Sequence, residues 1–301
     1  MSKHNLQSVL FTLIILGFVF FGRSNKSEFN NSIIGNKISF TSIGSLRSVV
    51  ISSGLIKNSF IPPENLKAKT ILVKNLNNGY TLYSLNDDWR WPIASLTKLM
   101  TAVVALEKMD PSQKIFFNDK IIETEGVSGG FKVGDFFSVN DLIRALVGVS
   151  SNDAAVALAE SYGSTSSPQS GYQNFIDAMQ IKASELGMKQ TTFFDPTGLS
   201  FLNQSTVPDL EKLVRYILDK HPQIFEISKH PNIEISGRVL KNINEFAGEE
   251  NFLGGKTGFT DDANGNLISL FKNPDGGVLL IIVMGTDDRF GETRKLLSLV
   301  Q

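Results

Sequence analysis

Val278-Leu279-Leu280-Ile281-Ile282-Val283 places six apolar residues in unbroken succession near the C-terminus. A strand of alternating character can leave one face in water, but a run like this one must be covered on both faces. Asn266-Leu267-Ile268-Ser269-Leu270-Phe271 precedes it, and Asn273-Pro274-Asp275-Gly276 between them is a strong turn signal. Far upstream, Thr70-Ile71-Leu72-Val73 and Tyr80-Thr81-Leu82-Tyr83 flank Asn77-Asn78-Gly79, a second hairpin signal. The intervening chain reads as helices. Leu99 to Leu106 is apolar nearly all round, as a central buried helix must be. Asp141 to Val149 and Ala154 to Ala159 are helical, with Ser150-Ser151-Asn152 in the break between them. Phe175 to Leu186 is amphipathic and ends at Gly187; Thr206 caps a helix with Pro208 in its first turn that runs to Lys220. A last helix covers about Gly291 to Leu299. The predicted class is α+β: one mainly antiparallel sheet built from the N- and C-terminal segments, with a helical subdomain between.

Composition narrows the function. The chain has 301 residues, 42% hydrophobic and 20% charged, with net charge -1. That balance suits one globular domain with appendages and argues against nucleic acid as a partner. The absence of cysteine excludes disulfides and thiolate metal sites. No cluster of metal-ligand type stands out, and no cofactor is expected. At the N-terminus, Lys3 precedes an uncharged apolar run from Val9 to Gly22, followed by Arg23. The run is shorter than the roughly 20 residues of a full span and fits a signal-peptide core. Extension back to Leu6 makes it a short anchor. We therefore expect a signal peptide or membrane anchor over 1–24, a linker over 25–64 and a folded domain over 65–301. The linker is rich in Ser, Asn and Gly, is interrupted by Leu46 to Ile51, and ends at Pro62-Pro63. The implied location is exported: periplasmic, or on the outer face of the cell membrane and anchored there by the N-terminus.

Ser95-Leu96-Thr97-Lys98 stands at the start of the buried helix. Residues three apart on a helix share a face, so the lysine amine can approach the serine hydroxyl. A serine hydroxyl needs a neighbouring base to become a nucleophile. The chain has three histidines: His4 in the leader, and His221 and His230, each beside a proline in a polar stretch. Lysine is the natural base candidate. Two more motifs accompany the pair, Ser150-Ser151-Asn152 in its helix break and Lys256-Thr257-Gly258 after Gly254-Gly255.

This S-x-x-K, S-x-N, K-T-G order resembles the signature of penicillin-binding proteins and active-site serine β-lactamases. The similarity extends to Ile93–Ala102, Ser150–Glu160, Leu186-Gly187-Met188, Thr192–Leu199 and Gly254–Thr260, and covers roughly residues 66 to 299. On these segments the chain is identified as a member of the D-alanyl-D-alanine carboxypeptidases, the low-molecular-mass penicillin-binding proteins. It departs at Ser151, where glycine is commoner, and at Ala263-Asn264, where Ala-Gly is usual.

The resemblance implies a β-lactamase/transpeptidase-like fold, a peptidoglycan stem peptide ending in D-Ala-D-Ala as substrate, and β-lactam antibiotics as inhibitors. Ser95 would attack the penultimate carbonyl and Lys98 would take its proton. For that, burial and the nearby Lys256 must lower the Lys98 pKa. Ser150 would relay a proton to the leaving nitrogen, and Asn152 would hold the substrate amide and Lys98. Lys256 and Thr257 would bind the terminal carboxylate, Gly258 would leave room for substrate backbone, and the N–H groups of Ser95 and Phe259 would form the oxyanion hole. Asp153 reads as a helix cap, Asp195-Pro196-Thr197-Gly198 as a structural turn, and Trp89 and Trp91 as packing residues near the cleft entrance. Glu123, Glu125, Asp287 and Asp288 read as solvated. Alternatives from the same residues are a DD-endopeptidase cutting cross-links, a β-lactamase, for which the deacylating glutamate pattern of class A is not found, and a non-catalytic wall-binding protein.

Overall fold

The apolar run at the C-terminus is the middle of a sheet. The computed structural model describes residues 63–300, apart from 127–128, 164–167 and 275. The leader, the Leu46–Ile51 stretch and nearly all of the expected linker lie outside the described residues. Among those described, strands β1 (Thr70–Asn75), β2 (Thr81–Leu85), β3 (Phe252–Thr260), β4 (Asn264–Lys272) and β5 (Val278–Thr286) form one antiparallel sheet in the order β2-β1-β5-β4-β3. The N-terminal hairpin thus pairs with the C-terminal one, with Thr70 opposite Met284.

Leu279 to Val283 have no exposed surface. Leu280 and Ile282 join a core with the helical subdomain, while Leu279, Ile281 and Val283 join a second core. The second core includes Phe246 and, from helix α7 (Arg289–Leu297), Leu296 and Leu297. One strand therefore serves two cores by simple alternation.

Helix α1 (Thr97–Lys108) is buried from Thr97 to Ala105. It packs against α2 (Val139–Gly148), α3 (Asn152–Ser161) and α4 (Pro168–Glu185). Each fully buried large apolar side chain such as Leu99 or Val103 contributes about 1.5–3 kcal/mol of transfer free energy. Ser138 opens α2 with a reciprocal capping box to Asp141. Thr206 caps α5 (Val207–Lys220), as its sequence predicts. Helix α6 (Gln223–Lys229) packs on β3.

Three elements differ from their sequence expectation. Helix α4 begins at Pro168, seven residues before the amphipathic pattern. Proline suits a first helical turn, and the polar residues after it carry no periodic signal. The terminal helix begins at Arg289, capped by Asp288. The Lys256-Thr257-Gly258 motif lies within a nine-residue strand, β3. Three glycines depress strand propensity there, and pairing along β4 overrides it.

Candidate active site

Ser95 lies in a short 3-10 turn, Ala94–Leu96, that leads directly into α1. The turn makes no side-chain cap, so the Ser95 hydroxyl is not used to start the helix. Ala94 has φ 48, a left-handed conformation unusual for a residue with a Cβ. Ser150, with φ 59, is the second such residue in the site. Strain of this kind costs about 1–3 kcal/mol each and persists where surrounding structure enforces it.

The enforcement is visible. Gly198, at φ +86, closes onto the serine turn so tightly that a Cβ there would lie 1.9 Å from the Ala94 carbonyl oxygen. From the other side, a Cβ on Gly258 would meet Ile93 O at 2.9 Å and Ser95 N at 3.2 Å. The glycine expected to make room for substrate is explained first by this close approach of β3 to the serine turn. It brings the Ser95 N–H alongside the Gly258–Phe259 segment, where the sequence places the oxyanion hole.

Lys98 has no exposed surface. Its Nζ lies 2.8 Å from Ser95 Oγ, 2.6 Å from Asn152 Oδ1 and 2.5 Å from the Thr197 carbonyl. A neutral amine has two N–H groups and one lone pair. Asn152 Oδ1 and Thr197 O can accept only, so the lone pair is left facing the serine O–H, the geometry of a general base. Burial lowers the Lys98 pKa to about 7, partly opposed by the negative charge of Asp195.

Lys256 is equally buried and reaches Ser150 Oγ at 2.8 Å and the Thr257 carbonyl at 2.8 Å. Burial, then the charges of Lys98 and Arg289, hold it well below the usual lysine range. Desolvation is the leading cause at both lysines, and the repulsion between the two cations disfavours a state in which both are charged. Because Ser150 Oγ accepts from Lys256, its own hydrogen is free to point elsewhere.

The described structure therefore gathers Ser95, Lys98, Ser150, Asn152, Lys256, Thr257, Gly258 and Phe259 around one edge of the sheet. Thr257 is buried, while the Phe259 side chain is exposed beside it. Asn152 donates one of its two amide N–H groups to the Glu125 carbonyl, at 2.7 Å, which fixes its oxygen toward Lys98 and leaves the second N–H for a ligand. Ser151, not Asp153, caps α3, by accepting from Ala154 N, so the departure from glycine replaces a flexible residue with a cap. Asp153 is buried instead, with its pKa raised to about 6 by desolvation. Asn264 takes the left-handed conformation (φ 54) that explains a glycine in relatives, and its amide bonds Asp287 at 2.6 Å. Trp91 packs with its Nε1 on the Ala263 carbonyl, whereas Trp89 is half exposed. Glu123, Glu125, Asp287 and Asp288 are exposed as expected.

Two participants escaped the sequence reading. The Asp195 turn is structural, but its product is functional. Asp195 Oδ1 accepts from Thr197 N, Thr197 Oγ1 and Gly198 N, and this cup aims the Thr197 carbonyl at Lys98. Arg289 donates to the Gly258 carbonyl at 3.0 Å, adding a cation beside Thr257. The Asp-Pro-Thr-Gly turn signal was readable; an arginine at a helix start carries no signal of its own.

Chemically this is the equipment of a hydrolase that acylates a serine without histidine, and the sheet with its helical subdomain is the frame of the penicillin-binding class. Comparison with known proteins narrows the class. Residues 57–288 match the family described as D-alanyl-D-alanine carboxypeptidase, and the chain belongs to that family. It is 35% identical over 241 residues to a D-alanyl-D-alanine endopeptidase of Pseudomonas aeruginosa, covering 76% of this chain and 74% of the relative. It is 30% identical over 278 residues to the D-alanyl-D-alanine carboxypeptidase DacA of Haemophilus influenzae, covering 87% and 69%. The fold superposes on penicillin-binding protein D2 of Listeria monocytogenes in its ampicillin-bound form with a TM-score of 0.69 and 32% identity, covering 79% of this chain and 99% of that one.

Proposed function

We propose that this protein is a serine-type D-alanyl-D-alanine carboxypeptidase that removes the terminal D-alanine from peptidoglycan stem pentapeptides through an acyl-enzyme on Ser95. The observation that carries the reading is Lys98, fully buried, with its Nζ 2.8 Å from Ser95 Oγ and a pKa of about 7. About half of such lysine is neutral at pH 7, against well under one in a thousand for an ordinary lysine.

Lys98 takes the Ser95 proton as Oγ bonds to the penultimate D-alanine carbonyl carbon. The developing oxyanion is met by the N–H groups of Ser95 and Phe259. Collapse breaks the C–N bond, and the Ser150 hydroxyl gives its proton to the departing nitrogen, recovering one through the lysines beside it. Thr257, Lys256 and Arg289 hold the terminal carboxylate, and Asn152 holds the substrate amide. Water, deprotonated by Lys98, then hydrolyses the ester and restores Ser95. β-Lactams acylate the same oxygen, a reading supported by the ampicillin-bound structural relative. The Val9–Gly22 run supports export and action outside the cytoplasmic membrane, with the N-terminus as signal peptide or anchor.

Incubation of the purified protein with labelled penicillin, followed by digestion, is expected to place the label on Ser95. Ser95→Ala is expected to abolish both labelling and D-alanine release, a loss on the order of 10^6-fold. Equal labelling of Ser95→Ala overturns the mechanism.

A further inference from the structure

We propose that Asn203, with Thr101 of α1, is a positioning residue for acylation: it pins the Asp195 turn to the serine turn and to α1, and so sets where the Thr197 carbonyl meets Lys98 Nζ. This rests on the serine DD-peptidase reading and adds two residues to its machinery.

Lys98 serves as a base only while both N–H groups of its neutral amine are taken, which leaves the lone pair to the Ser95 hydroxyl. One acceptor is Asn152 Oδ1, and the other is the Thr197 carbonyl, 99 residues further along the chain and 2.5 Å from Nζ. The shape of the turn that carries this carbonyl and its placement have different sources. Its shape is internal. Asp195 Oδ1 accepts from the N–H groups of Thr197 and Gly198, and Oδ2 from that of Ser200. None of these bonds reaches α1.

Placement comes from two side chains without exposed surface, Asn203 and Thr101. Asn203 Oδ1 accepts from Phe194 N at 2.7 Å and Asp195 N at 3.3 Å. Its Nδ2 donates to Asp195 O at 2.9 Å and to Thr97 Oγ1 at 3.1 Å. All four hydrogen-bonding positions of the amide are thereby filled. The Asn203 backbone carbonyl also accepts from Ile93 N at 2.9 Å. One residue thus holds the Asp195 turn and, through Ile93 and Thr97, both sides of Ser95. A carboxylate in its place could not donate to Thr97, and an aliphatic side chain could bond neither partner. Thr101 Oγ1 donates to the Pro196 carbonyl at 2.6 Å. Lys98 and Thr101, three apart on α1, therefore bond consecutive carbonyls of the same turn. Without these ties the turn keeps its form but not its distance from α1. The second N–H of Lys98 then lacks its acceptor, and the lone pair is no longer confined to the serine.

The test follows acylation of Ser95 by penicillin in the full-length protein. It separates the rate constant at saturation, the apparent binding constant and the fraction of molecules labelled. Asn203→Leu removes every side-chain bond at similar volume, and Thr101→Val removes one. Each is expected to lower the rate constant about 10- to 100-fold, the scale for a misplaced catalytic group. The binding constant and the labelled fraction are expected to stay within about twofold of wild type. Thr101→Ser keeps the hydroxyl and is expected to restore the wild-type rate. Neutrality of the lysine is not what these variants lose, so the deficit is expected to persist at about pH 9. A smaller labelled fraction with an unchanged rate marks a merely structural role and overturns the inference. Either variant acylating at the wild-type rate, or recovering it at high pH, overturns it too. If Asn203→Leu does not fold, the Thr101 variants decide between the same outcomes. Wild-type protein that takes no label on Ser95 overturns the peptidase reading and the positioning role with it.

Discussion

Near the two ends of helix α1 lie a fully buried lysine and a partly buried one, and the two are held in opposite states. At its start, Lys98 of the helix itself is surrounded by a hydroxyl, an amide oxygen and a carbonyl, and its pKa falls to about 7. At its end, Lys182 of α4 meets Glu107 of α1 at 2.7 Å and Glu185 at 2.8 Å, and its pKa rises above the usual range. Glu107 also accepts from the Tyr216 hydroxyl at 2.5 Å and lies 3.2 Å from His221 Nε2. Both lysines lose water on folding. What separates them is a carboxylate in contact: with one, the charged form is favoured; with neutral oxygens only, desolvation wins. The same amino acid is a structural cation at one end of the helix and a base at the other. Asp195 marks the intermediate case, since it is near enough to oppose the Lys98 shift and yet spends its oxygens on the Thr197–Ser200 backbone.

The most direct way to break this contrast is to give Lys98 what Lys182 has. Asn152→Asp places a carboxylate where Oδ1 now lies 2.6 Å from Nζ. A raised Lys98 pKa leaves less neutral amine at neutral pH. Acylation by penicillin at pH 7 is expected to fall about 100-fold and to recover as pH rises toward 9, since two pKa units correspond to a hundredfold in the neutral fraction. The wild-type rate is expected to rise through pH 7 and then level, and stopped-flow acylation across pH 5.5–9.5 measures both. An unchanged profile in the variant would show that lysine neutrality does not limit the step.

The contrast also depends on the loop that supplies a neutral oxygen. Gly198→Ala adds a Cβ 1.9 Å from the Ala94 carbonyl at a positive φ, so the Asp195 turn and the serine turn cannot both keep their places. Denaturant unfolding is expected to show a loss of about 3 kcal/mol, in the range for strained backbone combined with overpacking. Acylation is expected to fall by more than tenfold in the protein that remains folded. The smallest effect is expected at the far end of α1. Glu107→Gln removes the charge that holds Lys182, and should cost about 1–2 kcal/mol in thermal unfolding, as for a partly exposed pair. It is expected to leave the acylation rate and its pH profile unchanged, which separates the structural lysine from the chemical one.

Much of this was legible in the sequence because it rests on local patterns. Asn77-Asn78-Gly79 and Asn273-Pro274-Asp275-Gly276 identify two hairpins, and the unbroken run at Val278–Val283 requires a sheet buried on both faces. The residues Ser95, Lys98, Ser150, Asn152 and Lys256 were readable because each stands in a short motif. Strand β3 was hidden, since its glycines are there for close approach to the serine turn and α6, a relation across the fold. Asp153 was assigned the cap that Ser151 provides, because both residue types cap helices and only backbone geometry chooses between them.

The sequence by itself determined which side chains can act as nucleophile and base, and that the two ends of the chain must pair into one sheet. Only the tertiary structure decided that Lys98 is neutral enough to act. A pKa depends on what surrounds the amine in three dimensions, and the Thr197 carbonyl arrives from far along the chain while no carboxylate comes into contact. Arg289 joins the site in the same way, through the packing of α7 beside β4 and β5, from which its side chain reaches the Gly258 carbonyl of β3. Spacing brings Ser95 and Lys98 together; folding sets the charge on the lysine.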